Sequence, residues 1–74
     1  VRYWMRQFGQ GALLIRAASD PLDDFDIAPQ VWDWNRQQWV DDDDVVDELQ
    51  WDPNIRSAPE SEVLRMQRGV GSVR

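Results

Sequence analysis

The sequence predicts a small α+β domain, with an antiparallel sheet of two hairpins, a short acidic-capped helix and a C-terminal helix. Three observations lead there. Apolar runs of strand length flank a Gly-rich turn near the N-terminus, Trp and Val cluster about an Asn-Arg-Gln tip in the middle, and a Ser-x-x-Glu signature precedes a helix-period stripe near the C-terminus. A length of 74 residues allows one domain, expected over 1–68, with a flexible C-terminal tail at 69–74 where Gly69 and Gly71 break any periodic pattern.

In the first hairpin, about 3–18, Trp4 and Phe8 share one face and Tyr3, Met5 and Gln7 the other. The chain then turns through Gly9-Gln10-Gly11 into Ala12-Leu13-Leu14-Ile15-Arg16-Ala17. Helix is the rival reading for the second arm, but Gly on one side and Ser19-Asp20-Pro21 on the other leave it about two turns. Residues 13–15 are apolar on both faces, which implies a central strand covered on both sides, one by the helices and the other by the following connector or a partner. That connector, 19–29, carries Pro21 and Pro29, with Leu22, Phe25 and Ile27 as apolar pins.

The second hairpin, 31–40, places Trp32 and Trp34 on one face, turns at Asn35-Arg36-Gln37, and returns through Trp39, which can oppose either Trp. Asn35 is the residue at this tip best suited to a left-handed conformation. Asp41, Asp42, Asp43 and Asp44 then start a helix near 44–50, Asp44 as N-cap, presenting Val45, Val46 and Leu49. Pro53 ends it, and residues 54–56 can add an edge strand. Ser57 and Glu60 form a capping box for the last helix, 58–68, which exposes a Val63, Leu64 and Met66 stripe and stops at Gly69. The expected core is Trp4, Leu14, Trp32, Trp34, Trp39, Val46, Leu49, Ile55, Val63 and Leu64.

A domain this short buries about 60% of its unfolded surface, and without Cys or His it lacks disulfides and the ordinary zinc ligands. Trp takes over that task, each aromatic ring burying roughly 150–250 Å². Leu, Ile, Val and Phe supply 18 of 74 residues, above the roughly one-fifth below which high net charge leaves a chain unfolded. No apolar run approaches the roughly 18 residues of a membrane span, and the basic N-terminus lacks the apolar stretch of a secretory signal, so a cytoplasmic location is expected.

Charge is the most uneven property of the chain. Residues 20–52 hold twelve carboxylates against Arg36 alone, so the formal charge runs +3, −11 and +2 along the three segments and totals −6. Such a field bears on steering and partner choice. With no His, Cys, Lys or Thr, a serine nucleophile has no ordinary base, and no enzyme activity is expected. No cofactor or metal is expected either. Asp42 to Glu48 fails the EF-hand pattern, with Val46 at the fifth position and Asp47 where Gly belongs, although a Ca²⁺ reading of the acidic run remains the alternative to a solvated helix start.

Direct nucleic-acid binding needs cations where this surface offers anions. The inverse arrangement, a carboxylate array that imitates the phosphate backbone and occupies the groove of a basic protein, is permitted. The expectation is therefore a non-catalytic module that docks Asp23, Asp24, Asp26, Asp41, Asp42, Asp43 and Asp44 onto a basic partner, as an inhibitor or DNA mimic. The alternative is an assembly subunit, of the kind a phage encodes, that self-associates as a homodimer or packs into a larger complex.

Overall fold

In the computed structural model, which describes residues 1–8, 11–20, 23 and 26–72, alternating apolar runs become strands and the two helix-period segments become helices. The order is β1 (Arg2–Phe8), β2 (Gly11–Ala17), β3 (Gln30–Asp33), β4 (Gln38–Asp41), α1 (Val45–Trp51), β5 (Arg56–Ala58) and α2 (Glu60–Ser72). The strands form one antiparallel sheet in the order β4-β3-β2-β1-β5. The fold is thus mixed α+β. No helix among the described residues is long and apolar enough to cross a membrane.

Side chains alternate along a strand, so the register sorts the sheet into two faces. Tyr3, Met5, Ala12, Leu14, Arg16, Gln30, Trp32, Trp39, Asp41 and Ala58 share one of them. Met5, Ala12, Leu14 and Ala58 form its buried centre with Val63 of α2, and Met66 packs against it. Beyond the reach of α2 the same face is covered by aromatic rings. Trp39 lies 5.4 Å from Trp32 and 6.2 Å from Tyr3, and Trp34 donates its indole N–H to the Ala12 carbonyl at 2.8 Å.

Leu13, Ile15 and Ala17 turn to the opposite face, where Ile15 is wholly buried. The chain from β4 to β5 joins the two outer strands and must cross the sheet. The Arg6–Asp52 ion pair, at 2.9 Å, ties the end of that crossing to the Ile15 face, because Arg6 pairs with Leu13 and shares that face, and Val45 at the start of α1 is buried. The helices therefore sit one on each side. The expectation that both lie on one face is corrected, because a connection between opposite edges has to pass over the sheet.

Several local expectations are also corrected. At the 34–37 turn the positive φ belongs to Gln37 (58°) rather than Asn35. The Asp33 carboxylate binds the N–H groups of Asn35 and Arg36, while the Gln37 N–H closes onto the Asp33 carbonyl, which pushes the left-handed residue to the end of the turn. Ser57 lies in β5, two residues later than the 54–56 strand anticipated, because residues 52–55 are taken up by a turn in which the Asp52 carboxylate accepts the Asn54 N–H. Pro59 then starts α2 through its carbonyl, and the Ser57–Glu60 capping box does not form. The helix runs past Gly69 to Ser72, since Gly disfavours a helix by about 1 kcal/mol without forbidding it.

In the expected core, Leu14 and Val63 are buried, whereas Trp4, Trp32, Trp34, Trp39, Val46, Leu49 and Ile55 are half-buried. Val45 replaces Val46 as the buried residue of α1, and Leu64 is exposed because Val63 and Met66 set the direction of α2. The Gly9-Gln10 turn and the pins Leu22 and Phe25 lie outside the described residues, as do Pro21, Val73 and Arg74.

Polar links to the first turn of α2 help hold it against the sheet. The Tyr3 hydroxyl donates to Glu60 at 3.0 Å, and the Arg56 guanidinium donates to Glu62 at 2.6 Å. Burial, helped by Glu60, pushes the Tyr3 hydroxyl above its ordinary pKa, and the Arg56 hydrogen bond holds Glu62 below the usual carboxylate range. The Glu62 contribution to stability should be complete above about pH 4.3 and vanish as pH falls through the lowered value. That of Tyr3 should be complete below about pH 10 and vanish as pH rises through the elevated one. Urea titrations across pH should show Glu62→Gln flattening the acid limb and Tyr3→Phe the alkaline limb. A parent-like slope in either variant would contradict the assignment.

Candidate interaction surface

The acidic segment is positioned by the β3–β4 pair. Asp41 ends β4, and its register partner Gln30 donates to it at 3.0 Å. Gln30 in turn accepts from Arg16 Nε at 2.8 Å, so Arg16, Gln30 and Asp41 form one row across three adjacent strands. The guanidinium of Arg16 also lies 4.6 Å above the Trp39 ring.

Asp42 is half-buried for a structural reason. Its N–H bonds the Pro29 carbonyl at 3.0 Å and its carboxylate accepts the Asp44 N–H at 3.0 Å, which bends the chain from β4 into α1. Asp43 and Asp44 are exposed, and their carbonyls receive the N–H groups of Val46 and Asp47. Asp44 has helical φ and ψ and makes no side-chain cap bond, so the expected acidic cap is corrected. Asp42 already binds the Asp44 N–H, which leaves Asp44 in the helical conformation rather than the extended one a capping side chain uses. Asp47 and Glu48 occupy the first turn of α1, where their charge offsets the helix dipole.

The Asp42–Pro29 bond also brings the connector to this end of the sheet. Asp26, three residues before Pro29, lies within about 11 Å of chain from that bond. Asp23, exposed in a turn closed on the Asp20 carbonyl, is held less closely, and Asp24 lies outside the described residues. Of the seven expected site residues, the structure thus holds Asp41, Asp42, Asp43 and Asp44 together at the end of β4 and the start of α1, with Asp26 on the connector that leads to Pro29.

Strand order turns the charge pattern of the sequence into a spatial one. The strands β1 and β5 are neighbours, so Arg2, Arg6 and Arg56 gather on one side of the sheet, with Arg65 and Arg68 on α2 above β1 and β2. The acidic β4 closes the other side. Four ion pairs, Arg2–Asp20, Arg6–Asp52, Arg36–Asp33 and Arg56–Glu62, use carboxylates outside the 41–44 run. None of Asp41, Asp42, Asp43 and Asp44 pairs with a described base, and no group of three or more described carboxylates is placed to hold a metal ion.

Sequence reasoning missed Trp51, which is 76% exposed at the end of α1. Its place after Asp47 and Glu48 on a seven-residue helix was the available signal: with Val45 turned inward, a residue six positions on is carried about 240° round the helix axis. The Tyr3–Glu60 pair lies in an open cleft of about 410 Å³ at the junction of β1, β5 and α2. No known protein family, curated protein or solved structure matches this chain.

Proposed function

We propose that this chain is a non-catalytic interaction module that docks its acidic side onto a basic partner protein in the cytoplasm. The observation that supports this most is the segregation just described: four carboxylates, Asp41 to Asp44, collected at one end of the β3–β4 pair without a described basic partner. An array of fixed carboxylates steers a cationic surface by long-range attraction and sets its orientation. Nucleic-acid-binding proteins present such surfaces, and an inhibitor or DNA mimic acts by occupying them. The same field repels nucleic acid itself.

The test is the joint replacement of Asp41, Asp42 and Asp43 by Asn. Stability should change by less than about 1 kcal/mol, because an Asn side-chain oxygen can still accept the Asp44 N–H. Capture from a cell extract at low salt should retain a basic partner on the parent and lose it on the variant, with association slowed at least about tenfold. A partner held equally by both proteins, or held independently of salt, would refute acidic docking. An assembly subunit is the second reading, favoured by exposed Phe8 and Trp51. Sedimentation at rising concentration separates the two, and a concentration-independent monomer would remove it.

A further inference from the structure

The hydrogen bond from the Asp42 N–H to the Pro29 carbonyl continues the β3–β4 register by one pair. Bonded and non-bonded pairs alternate along an antiparallel ladder. With 29 and 42 a bonded pair, Val31 with Val40 and Asp33 with Gln38 are bonded as well, and Gln30 with Asp41 and Trp32 with Trp39 are not. Non-bonded partners approach more closely, which is where the structure has the Trp32–Trp39 ring contact and the Gln30–Asp41 side-chain bond. The backbone N–H and C=O groups of Trp39 and Asp41 consequently turn away from β3. Since β4 is the last strand of the sheet among the described residues, they turn outward.

We infer that an extended basic segment of the partner adds to this sheet as a further strand alongside β4. The inference rests on the acidic docking reading and supplies its mode. Outward backbone groups at Trp39 and Asp41 provide main-chain hydrogen bonds, as an open sheet edge does in strand addition. Exposed Asp41, Asp43 and Asp44, none paired with a described base, lie at the end of that edge and select Arg or Lys on the incoming strand. A second copy of the chain is disfavoured as occupant because each copy carries a net charge of −6.

The probe is an alternating Arg-Val peptide of about eight residues, a common strand length, titrated at low salt into the whole protein. On binding, the amides of Trp39 and Asp41 should gain protection from hydrogen exchange. Asp41→Pro removes an outward N–H without touching a ladder bond, so it should weaken the peptide by about tenfold beyond Asp41→Ala, the loss expected for one main-chain hydrogen bond. If Asp41→Pro fails to fold, a peptide methylated on alternate backbone nitrogens carries the same comparison against the parent and should lose binding. Equal binding of methylated and plain peptides, without protection at Trp39 and Asp41, would overturn strand addition and leave electrostatic docking intact. Absence of peptide binding at low salt would overturn both. Protection that rises with protein concentration and no peptide would assign the edge to a second copy and likewise overturn the inference.

Discussion

Leu14→Ala and Ile15→Ala should each destabilise the fold by about 2–5 kcal/mol, although the two side chains leave the sheet in opposite directions. Both are 0% exposed on β2, the central strand. Truncation of either removes transfer free energy and leaves a cavity that the layer above cannot refill. Domains carry roughly 0.05–0.15 kcal/mol of stability per residue, so a chain this short has little reserve and either variant should sit close to its unfolding midpoint. Urea denaturation followed by circular dichroism measures the loss. A cost below about 1 kcal/mol for Ile15→Ala alone would mean that the face crossed by α1 is not packed.

Trp39→Ala and Trp51→Ala should differ sharply despite the identical change in side chain. The Trp39 ring contacts Trp32 and Tyr3 and lies beneath the Arg16 guanidinium, covering the part of the core that α2 does not reach. Its removal should cost about 3 kcal/mol, the lower end for an aromatic truncation because the residue is half-buried. Trp51 is 76% exposed, and its removal should change stability by less than about 0.5 kcal/mol. A comparable loss in both variants would mean that Trp51 is packed. Trp51→Ala also separates the two functional readings, since a self-associating subunit would weaken its own assembly and an acidic docking module would not.

Strand positions were legible where the residue pattern had a single solution. The alternation of Tyr3 to Phe8, the apolar run about Leu14 and the Trp-Val segments on either side of residues 34–37 all became strands, because each has apolar side chains at strand period and helix-breaking neighbours. The C-terminal helix was legible for the opposite reason, Val63 and Met66 recurring at helical spacing. Caps were the weak point. Ser57 belongs to a capping signature by spacing alone, but pairing with Trp4 claims it for β5, and one residue cannot serve a strand and a helix start together. Asp44 lost its role in the same way, because the Asp42 carboxylate reached its N–H first. Local competition among neighbouring Asp side chains is decided by backbone direction, which the letters do not carry.

By itself the sequence determined the element types, the two-sided burial of β2 and the concentration of net negative charge in residues 20–52, since each depends on residue identity and short-range spacing. Tertiary structure decided everything that depends on which segments become neighbours. The order β4-β3-β2-β1-β5 brings the Arg-bearing first and fifth strands together and leaves the acidic β4 at the opposite edge. It forces the β4–β5 connection across the sheet, and so places the helices on opposite faces. The same order turns the N–H and C=O groups of Trp39 and Asp41 outward. Side-chain periodicity is a local property of the chain, whereas strand neighbours and edge polarity arise from long-range pairing, in which each strand selects partners from the whole chain.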